Sequence, residues 1–364
     1  MVVNNLELLF FRNYNSFSSS FSPGINFIYG RNGQGKTNLI ESLYLLTHLK
    51  SFRTAHIDEL ESFGKDYSFI RSKLTKQGIS HDIEVGLQKN QKRVFLDGKK
   101  VAYSSDYIKN FFSILFSPDQ LVFFKEYPLE RRNFFDRILV LLDQQYFQYV
   151  KDFNKIKKQK GSLLRQGIRN EVSVWNKLLA GLIPKISNAR SNLVQKINLQ
   201  LSDIFKRLTQ RTEHLEIHFQ SDMEKRTDLD ETCVFSFLEE KAESEIEKGI
   251  LIYGPHKDRF WMTLAGKDDK TSFSQGEFRI AFLALQFGVN QLIKETLGFN
   301  PIILLDDISS ELDRSVIRES IDFINHLDNQ VFITSTEIPV DLHCKGNAYL
   351  IDEGKLVKEH LLTQ

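Results

Sequence analysis

Residues 24 to 41 read GINFIYGRNGQGKTNLIE. Within them Gly30-Arg31-Asn32-Gly33-Gln34-Gly35-Lys36-Thr37 satisfies GxxxxGK[ST] at every required position, after a short β-branched and aromatic run and ahead of an apolar-periodic helix. Glycines at 30, 33 and 35 let the backbone turn tightly and aim its N–H groups at phosphate oxygens beside the positive end of the helix dipole. Lys36 is then placed for β- and γ-phosphates, and the Thr37 hydroxyl for Mg²⁺. The stretch predicts an α/β nucleotide-binding fold with ATP-type chemistry.

The rest of the chain must supply a sheet, a second half of the site and any partner surface. At 364 residues and 41% hydrophobic content it suits two domains, or one large one with an inserted lobe. A net charge of +1 gives no global attraction for nucleic acid, so any DNA contact must come from a local patch. Cys233 and Cys344 are the two cysteines, far apart and without partners at metal spacing, which fits a reducing cytoplasm. No stretch approaches the ~20 apolar residues of a membrane span, and the N-terminus lacks a basic and apolar leader pattern. The expectation is a cytoplasmic protein with no membrane contact.

Residues 6–12 and 24–29 read as neighbouring strands joined by a Ser-rich turn at Ser16 to Ser22, and 38–50 as the helix after the P-loop. From 67 to 103 the strands FIRSKL, HDIEVGL and KRVFL form an antiparallel sheet, with Asp97-Gly98 as a two-residue hairpin turn. Residues 129–165 and 172–210 carry long helical periodicity, interrupted by Pro184, with Gly161 and Gly167 marking a bend. Between Lys151 and Asn170 stand seven Lys or Arg against one Asp, either a solvated helix tip or a DNA-contacting one. Strand patterns return at His214–Phe219, Leu251–Tyr253 and Phe260–Leu264. After 271 come a helix, a strand at Ile302–Leu305, a helix and a strand at Val331–Thr334, alternation that means a parallel sheet shared with the P-loop half. The expected domains are 1–120 (P-loop lobe with its antiparallel β subdomain), 121–245 (helical lobe) and 246–364 (C-terminal ATPase lobe).

Pro301-Ile302-Ile303-Leu304-Leu305-Asp306-Asp307 puts two carboxylates at the C-terminal edge of a buried strand, where ligands of open α/β sheets bind. Asp306 suits Mg²⁺, and Asp307 suits orienting or deprotonating the attacking water. Ser272-Phe273-Ser274-Gln275-Gly276-Glu277 lies upstream and Ser310-Glu311-Leu312-Asp313 just downstream. Here the sequence resembles the ATP-binding-cassette class: SFSQGE is similar to its signature, LLDD to Walker B and SELD to the D-loop. More closely, KSFRTAHIDEL at 50–60, FSPDQL at 116–121, ERRNFFDRIL at 130–139, YGPHKDRF at 253–260 and LLDDISSELD at 304–313 resemble the RecF family of bacterial recombination mediators, over nearly the whole chain.

The resemblance implies an ABC-type ATPase head with a mixed sheet around the P-loop, an antiparallel β subdomain and an inserted helical lobe. It implies slow, DNA-dependent ATP hydrolysis, an ATP-dependent homodimer, and work with RecO and RecR in loading recombinase at gapped DNA, in fork maintenance and in SOS induction. Ser274, Gln275 and Gly276 would meet the γ-phosphate, Arg12 would lie near the nucleotide, and Gln120 would serve as a Q-loop glutamine near the metal. Asp307 stands where most cassette ATPases have Glu, Thr334-Ser335-Thr336-Glu337 has no switch histidine, and Arg259 after Asp258 leaves the GPHKD segment without a role. A transporter subunit and a long-armed chromosome ATPase are the competing readings; the 270 positions between Lys36 and Asp306 exceed what the first needs and fall far short of the second. Lys50, Arg53, Arg71, Lys73 and the Lys151–Arg169 run are the candidate DNA contacts.

Overall fold

The computed structural model describes residues 1–223, 229–338 and 345–362, with backbone alone at 105 and 106. Cys344 lies outside the described residues.

Strand β1 (Val2–Phe11) buries alternate residues, Leu6 and Leu8 among them, and pairs antiparallel with β2 (Tyr14–Ser20). The Ser-rich stretch is thus a strand rather than the expected turn. Phe17 and Ser19 face inward while Ser16, Ser18 and Ser20 face solvent, a period of two that small polar residues on the wet face do not disturb. Strand β3 (Ile25–Tyr29) is buried from Ile25 through Ile28 and enters a different sheet, so the expected pairing of the first strand with the one before the P-loop does not occur. The burial patterns explain the separation: β1 has one dry face, whereas β3 needs cover on both.

After helix α1 (Lys36–His48) come β4 (Tyr67–Lys76), β5 (Ile79–Gln88), β6 (Gln91–Leu96) and β7 (Lys99–Lys100). They extend the first sheet in the order β2-β1-β4-β5-β6-β7, antiparallel throughout. Three successive two-residue turns have positive φ at both positions: Gln77-Gly78, Lys89-Asn90 and Asp97-Gly98. That geometry matches the twist of the flanking strands. Short α2 (Ser104–Ile108) leads to β8 (Ser113–Phe116) and α3 (Pro118–Glu126).

The helical stretch holds α4 (Pro128–Leu142), α5 (Gln144–Arg165) and α6 (Val172–Thr209), with Pro184 inside α6. Gly161 lies within α5, and the bend falls at Gly167, whose φ is 69°. Then follow β9 (Leu215–Gln220), α7 (Glu231–Lys248), β10 (Arg259–Leu264) and β11 (Lys267–Asp268), the three strands forming their own antiparallel sheet. Leu251–Tyr253 is not the expected strand, because the N–H groups of Ile252 and Tyr253 donate to Glu245 Oε1 at 2.8 and 3.3 Å instead of to a neighbouring strand.

The last stretch holds α8 (Gln275–Leu297), β12 (Ile302–Leu305), α9 (Ile308–Glu311), α10 (Arg314–Asn325), β13 (Val331–Ser335), β14 (Gly346–Asp352) and β15 (Lys355–Leu362). The second large sheet runs β15-β14-β3-β13-β12-β8, parallel except for β15, so both ends of the chain build it. The chain divides into two compact units, 1–122 with 203–213 and 273–364, and 123–202 with 214–272. Residues 246–272 thereby differ from their expected C-terminal placement, since β10 pairs with β9 from Arg259–Gln220 to Leu264–Leu215.

Candidate nucleotide site

Glycine at 30 and 35 is required by close approach. Both have positive φ, and a Cβ would lie 2.3 Å from the Ile351 carbonyl oxygen at Gly30 and 2.7 Å from Asn13 Nδ2 at Gly35. The loop is gripped from outside. Tyr14 Oη donates to the Gly35 carbonyl at 3.0 Å, Asn13 Nδ2 to the Gln34 carbonyl at 3.0 Å, and the Gly354 and Glu353 N–H groups to Gln34 O and Oε1 at 2.9 and 2.6 Å. The helix ladder opens with Leu39 N–H on the Gly35 carbonyl, which leaves the preceding first-turn amides without helical partners, as an anion site needs. Arg31, Asn32 and Gly33 form its exposed rim. Lys36 Nζ folds back on the carbonyls of Gly30 (2.7 Å) and Arg31 (2.9 Å), and burial pulls its pKa down against the opposing charges of Asp307 and Asp306.

Asp306 directly follows β12, two strands from β3, and the sheet brings it to the P-loop. Its Oδ1 accepts from Thr37 Oγ1 at 3.1 Å and from Thr334 Oγ1 at 2.7 Å. Burial raises its pKa to about 6, against the two hydroxyl hydrogen bonds. A hydroxyl and a carboxylate oxygen side by side, with no cluster of three His, Cys, Asp or Glu ligands among the described residues, fit Mg²⁺, which takes few protein ligands and completes its shell with phosphate and water. Asp307 adopts φ 52°, ψ 44°, its N–H donating to Thr334 Oγ1 at 2.8 Å and its Oδ2 accepting from Ser310 Oγ at 2.7 Å. One hydroxyl on β13 therefore fixes both acids. In the sequence Thr334 is a strand end, and the hydroxyl that closes this otherwise apolar buried strand is the signal of its role.

Arg12, also at positive φ, grips the buried Glu41 of α1 in a two-pronged pair at 2.8 and 2.8 Å and donates to the Glu59 carbonyl at 2.6 Å. Glu41 also takes Ser51 Oγ and Arg53 at 3.4 Å, and Arg53 donates to Asn38 at 2.8 Å. Arg53 is thus tied to the first helix. Gln120, on α3, accepts from Gln286 Nε2 at 3.2 Å, so its amide oxygen faces α8.

Ser274 is the N-cap of α8, in a reciprocal box with Glu277: N–H to Oε2 at 2.9 Å and Glu277 N–H to Oγ at 3.1 Å. Ser274, Gln275 and Gly276 are exposed. Among the described residues no hydrogen bond or ion pair joins those three to the P-loop, while Arg279 pairs with Glu311 of α9 at 2.7 Å. The structure therefore assembles P-loop, Asp306, Asp307 and Thr334 in one place and leaves the signature facing outward.

Of the basic candidates, Lys160 is fully buried and bound to Glu245, so it belongs to the core; Lys151, Lys155 and Lys158 are exposed, and Arg169 pairs with Glu243 at 2.8 Å. Arg71 faces Glu84 across β4 and β5 at 3.3 Å, and Lys73 is exposed. No helix among the described residues is long and apolar enough to cross a membrane.

Residues 2–341 match the model of the RecF/RecN/SMC N terminal domain. A DNA replication and repair protein RecF of Alkaliphilus oremlandii (strain OhILAs) is 33% identical over 366 residues, covering 98% of this chain and 100% of its own. Among solved structures, the recombination mediator protein RecF bound to ATP, of the RecFOR pathway, superposes with a TM-score of 0.87 at 26% identity, covering 99% of each chain. An Smc head bound to the C-terminal winged-helix domain of ScpA gives 0.59 at 17%, covering 100% of this chain and 98% of its own, which is a likeness of fold.

Proposed function

The chain belongs to the RecF family, and from that premise we propose that it is a DNA-repair ATPase that closes as an ATP-dependent homodimer on DNA. It acts in the cytoplasm, with RecO and RecR, to load recombinase at gapped DNA, and serves replication-fork maintenance and SOS induction. The observation that carries the nucleotide part is the Thr37–Asp306–Thr334 junction, which joins P-loop, buried strand and neighbouring strand through one carboxylate oxygen.

In this reading Lys36 leaves the Gly30 and Arg31 carbonyls to bind β- and γ-phosphate oxygens, while the first-turn amides of α1 cradle the chain of phosphates. Mg²⁺, when bound, would supply positive charge against the phosphates; Thr37 and Asp306 would hold it, with Gln120, at the start of α3 just beyond β8, as a further candidate. Asp307 orients the attacking water. Its carboxylate is one methylene shorter than Glu and is already engaged by Ser310, which supports slow hydrolysis.

The outward-facing Ser274, Gln275 and Gly276 support a site shared between two subunits, each signature capping the γ-phosphate held by its partner's P-loop. The test mixes Ser274→Arg, which spoils the signature, with Lys36→Ala, which spoils the P-loop. Each is expected to be inactive alone, and ATPase is expected to appear in mixtures, where one working site is rebuilt. Full activity of Ser274→Arg alone would refute the shared site.

A further inference from the structure

The second compact unit holds a cavity of about 360 Å³ at the YGPHKDRF stretch, whose role the sequence left open. Lys125, Arg131, Arg132, Lys257, Arg259 and Lys270 contribute six cationic side chains to its lining, against a wall that includes Phe260 and Pro128. Asp258 is the one acid in that lining, and it is engaged on both oxygens: Oδ2 accepts from Arg190 at 2.7 Å and Oδ1 from the Asp222 N–H at 2.9 Å. Arg131 points inward, to Asp269 at 2.7 Å and the Phe260 carbonyl at 3.1 Å. The others are differently placed. Among the described residues the side chains of Lys257, Arg259 and Lys270 have no hydrogen bond or ion pair, and Arg132 reaches one carbonyl, that of Asp258, at 3.2 Å.

Lys257, Arg259 and Lys270, gathered beside Arg132 without an ion pair of their own, repel one another, and the same field acts on His256 in the lining. His256 is kept neutral, at a pKa of about 4, by burial first and then by the nearby charges of Lys157, Lys257 and Arg132, and its Nδ1 is buried without a partner. A fold does not gain stability from such an arrangement; a site for a multiply charged anion does. The mix of planar guanidinium and compact ammonium groups suits phosphate oxygens, which accept several donors from different directions. With a water occupying ~30 Å³ of liquid, the volume has room for a phosphate together with the group that carries it.

We propose that this cavity is a second phosphate site, separate from the P-loop, that binds a phosphate group carried on a DNA strand or on a free polyphosphate. The test uses the full chain with Lys36→Ala, so that the P-loop contributes little, and inorganic pyrophosphate as the probe in titration calorimetry. Saturable binding is expected, weakened at least tenfold when Lys257→Gln, Arg259→Gln and Lys270→Gln are added. Because those side chains hold nothing in the fold, the added substitutions are expected to leave the melting temperature without pyrophosphate unchanged or higher. Arg259→Gln alone, the smallest perturbation, is expected to weaken binding about threefold. No saturable binding, or equal affinity with and without the substitutions, overturns the proposal.

A second arm identifies the carrier. With the same three substitutions and a wild-type P-loop, duplex DNA affinity falling tenfold, together with a log-log salt slope shallower by about 2.7, assigns the phosphate to DNA. Unchanged DNA binding with pyrophosphate binding lost assigns it to a free polyphosphate. Neither arm depends on hydrolysis or on dimerisation, so failure here is distinguishable from failure of the shared ATP site.

Discussion

Replacing Lys160 by Met is expected to destabilise the second unit by about 3–5 kcal/mol, the cost of breaking a fully buried ion pair by removing one partner. The structure gives the reasons. Lys160 Nζ donates to Glu245 Oε2 at 2.6 Å and to Asn176 Oδ1, and the side chains of both ions are 0% exposed. Glu245 Oε1 keeps the Ile252 and Tyr253 N–H groups, but Oε2 loses the Lys160 ammonium and becomes an uncompensated charge. The chain has two tryptophans, Trp175 in α6 and Trp261 in β10, both in this unit, so their fluorescence follows its unfolding selectively. With a urea dependence of about 2 kcal/mol per molar, the midpoint is expected to fall by roughly 1.5–2.5 M. Adding Glu245→Gln to Lys160→Met removes the stranded charge and keeps an acceptor for both N–H groups. That double variant is expected to recover to within about 1 kcal/mol of wild type. A loss below 1 kcal/mol for the single variant, or no recovery in the double, refutes the reasoning.

Asp307→Asn is expected to fold normally, since Asn tolerates the left-handed backbone at 307, and to accumulate an ATP-bound dimer in sedimentation; a monomer under ATP counts against coupling of nucleotide to dimerisation. Asp306→Asn is expected to abolish ATPase yet stabilise the nucleotide-free and metal-free protein by up to about 3 kcal/mol at pH 7.5, because the wild-type carboxyl, raised from 3.8 to about 6, is relatively stabilising below pH 3.8 and loses that as pH rises through 6. Urea midpoints of the two proteins should therefore converge near pH 4 and separate toward pH 7.5, and a pH-independent gap counts against it. Gly98→Ala is expected to cost about 1 kcal/mol through backbone strain alone, since φ there is 74° and a Cβ would meet nothing within 4 Å; a thermal shift assay reads it.

What the sequence made legible was local or forced by spacing. The P-loop, the Ile302–Leu305 strand with its two acids, and the Asp97-Gly98 turn each follow from a few consecutive residues. The shared parallel sheet was also legible, because doubly buried strands must find one another. What escaped depended on distant partners. The Ser-rich strand was hidden because turn and wet-face strand use the same small polar residues. Lys160 looked like its six basic neighbours until Glu245, 85 positions away, was placed against it. Thr334 acquires meaning only when β13 lies beside β12, and the segment at 251–253 is claimed by a glutamate side chain rather than by a strand.

The order of the parallel sheet also governs how the chain can be made. Strand β3 lies between β13 and β14, so its neighbours begin 302 residues after it ends at Tyr29, at Val331. At ~5–20 residues per second of synthesis, the nascent P-loop strand waits roughly 15–60 s for its first partner to leave the ribosome. Its Ile25, Phe27 and Ile28, all deeply buried at the end, stay without a sheet for that interval. The antiparallel sheet of β1, β2 and β4–β7 and the helical unit have no such delay and are free to form as they emerge. The nucleotide site is therefore the last part of the molecule to exist, and a chain stopped short of β13 carries a complete P-loop sequence with no sheet to hold it.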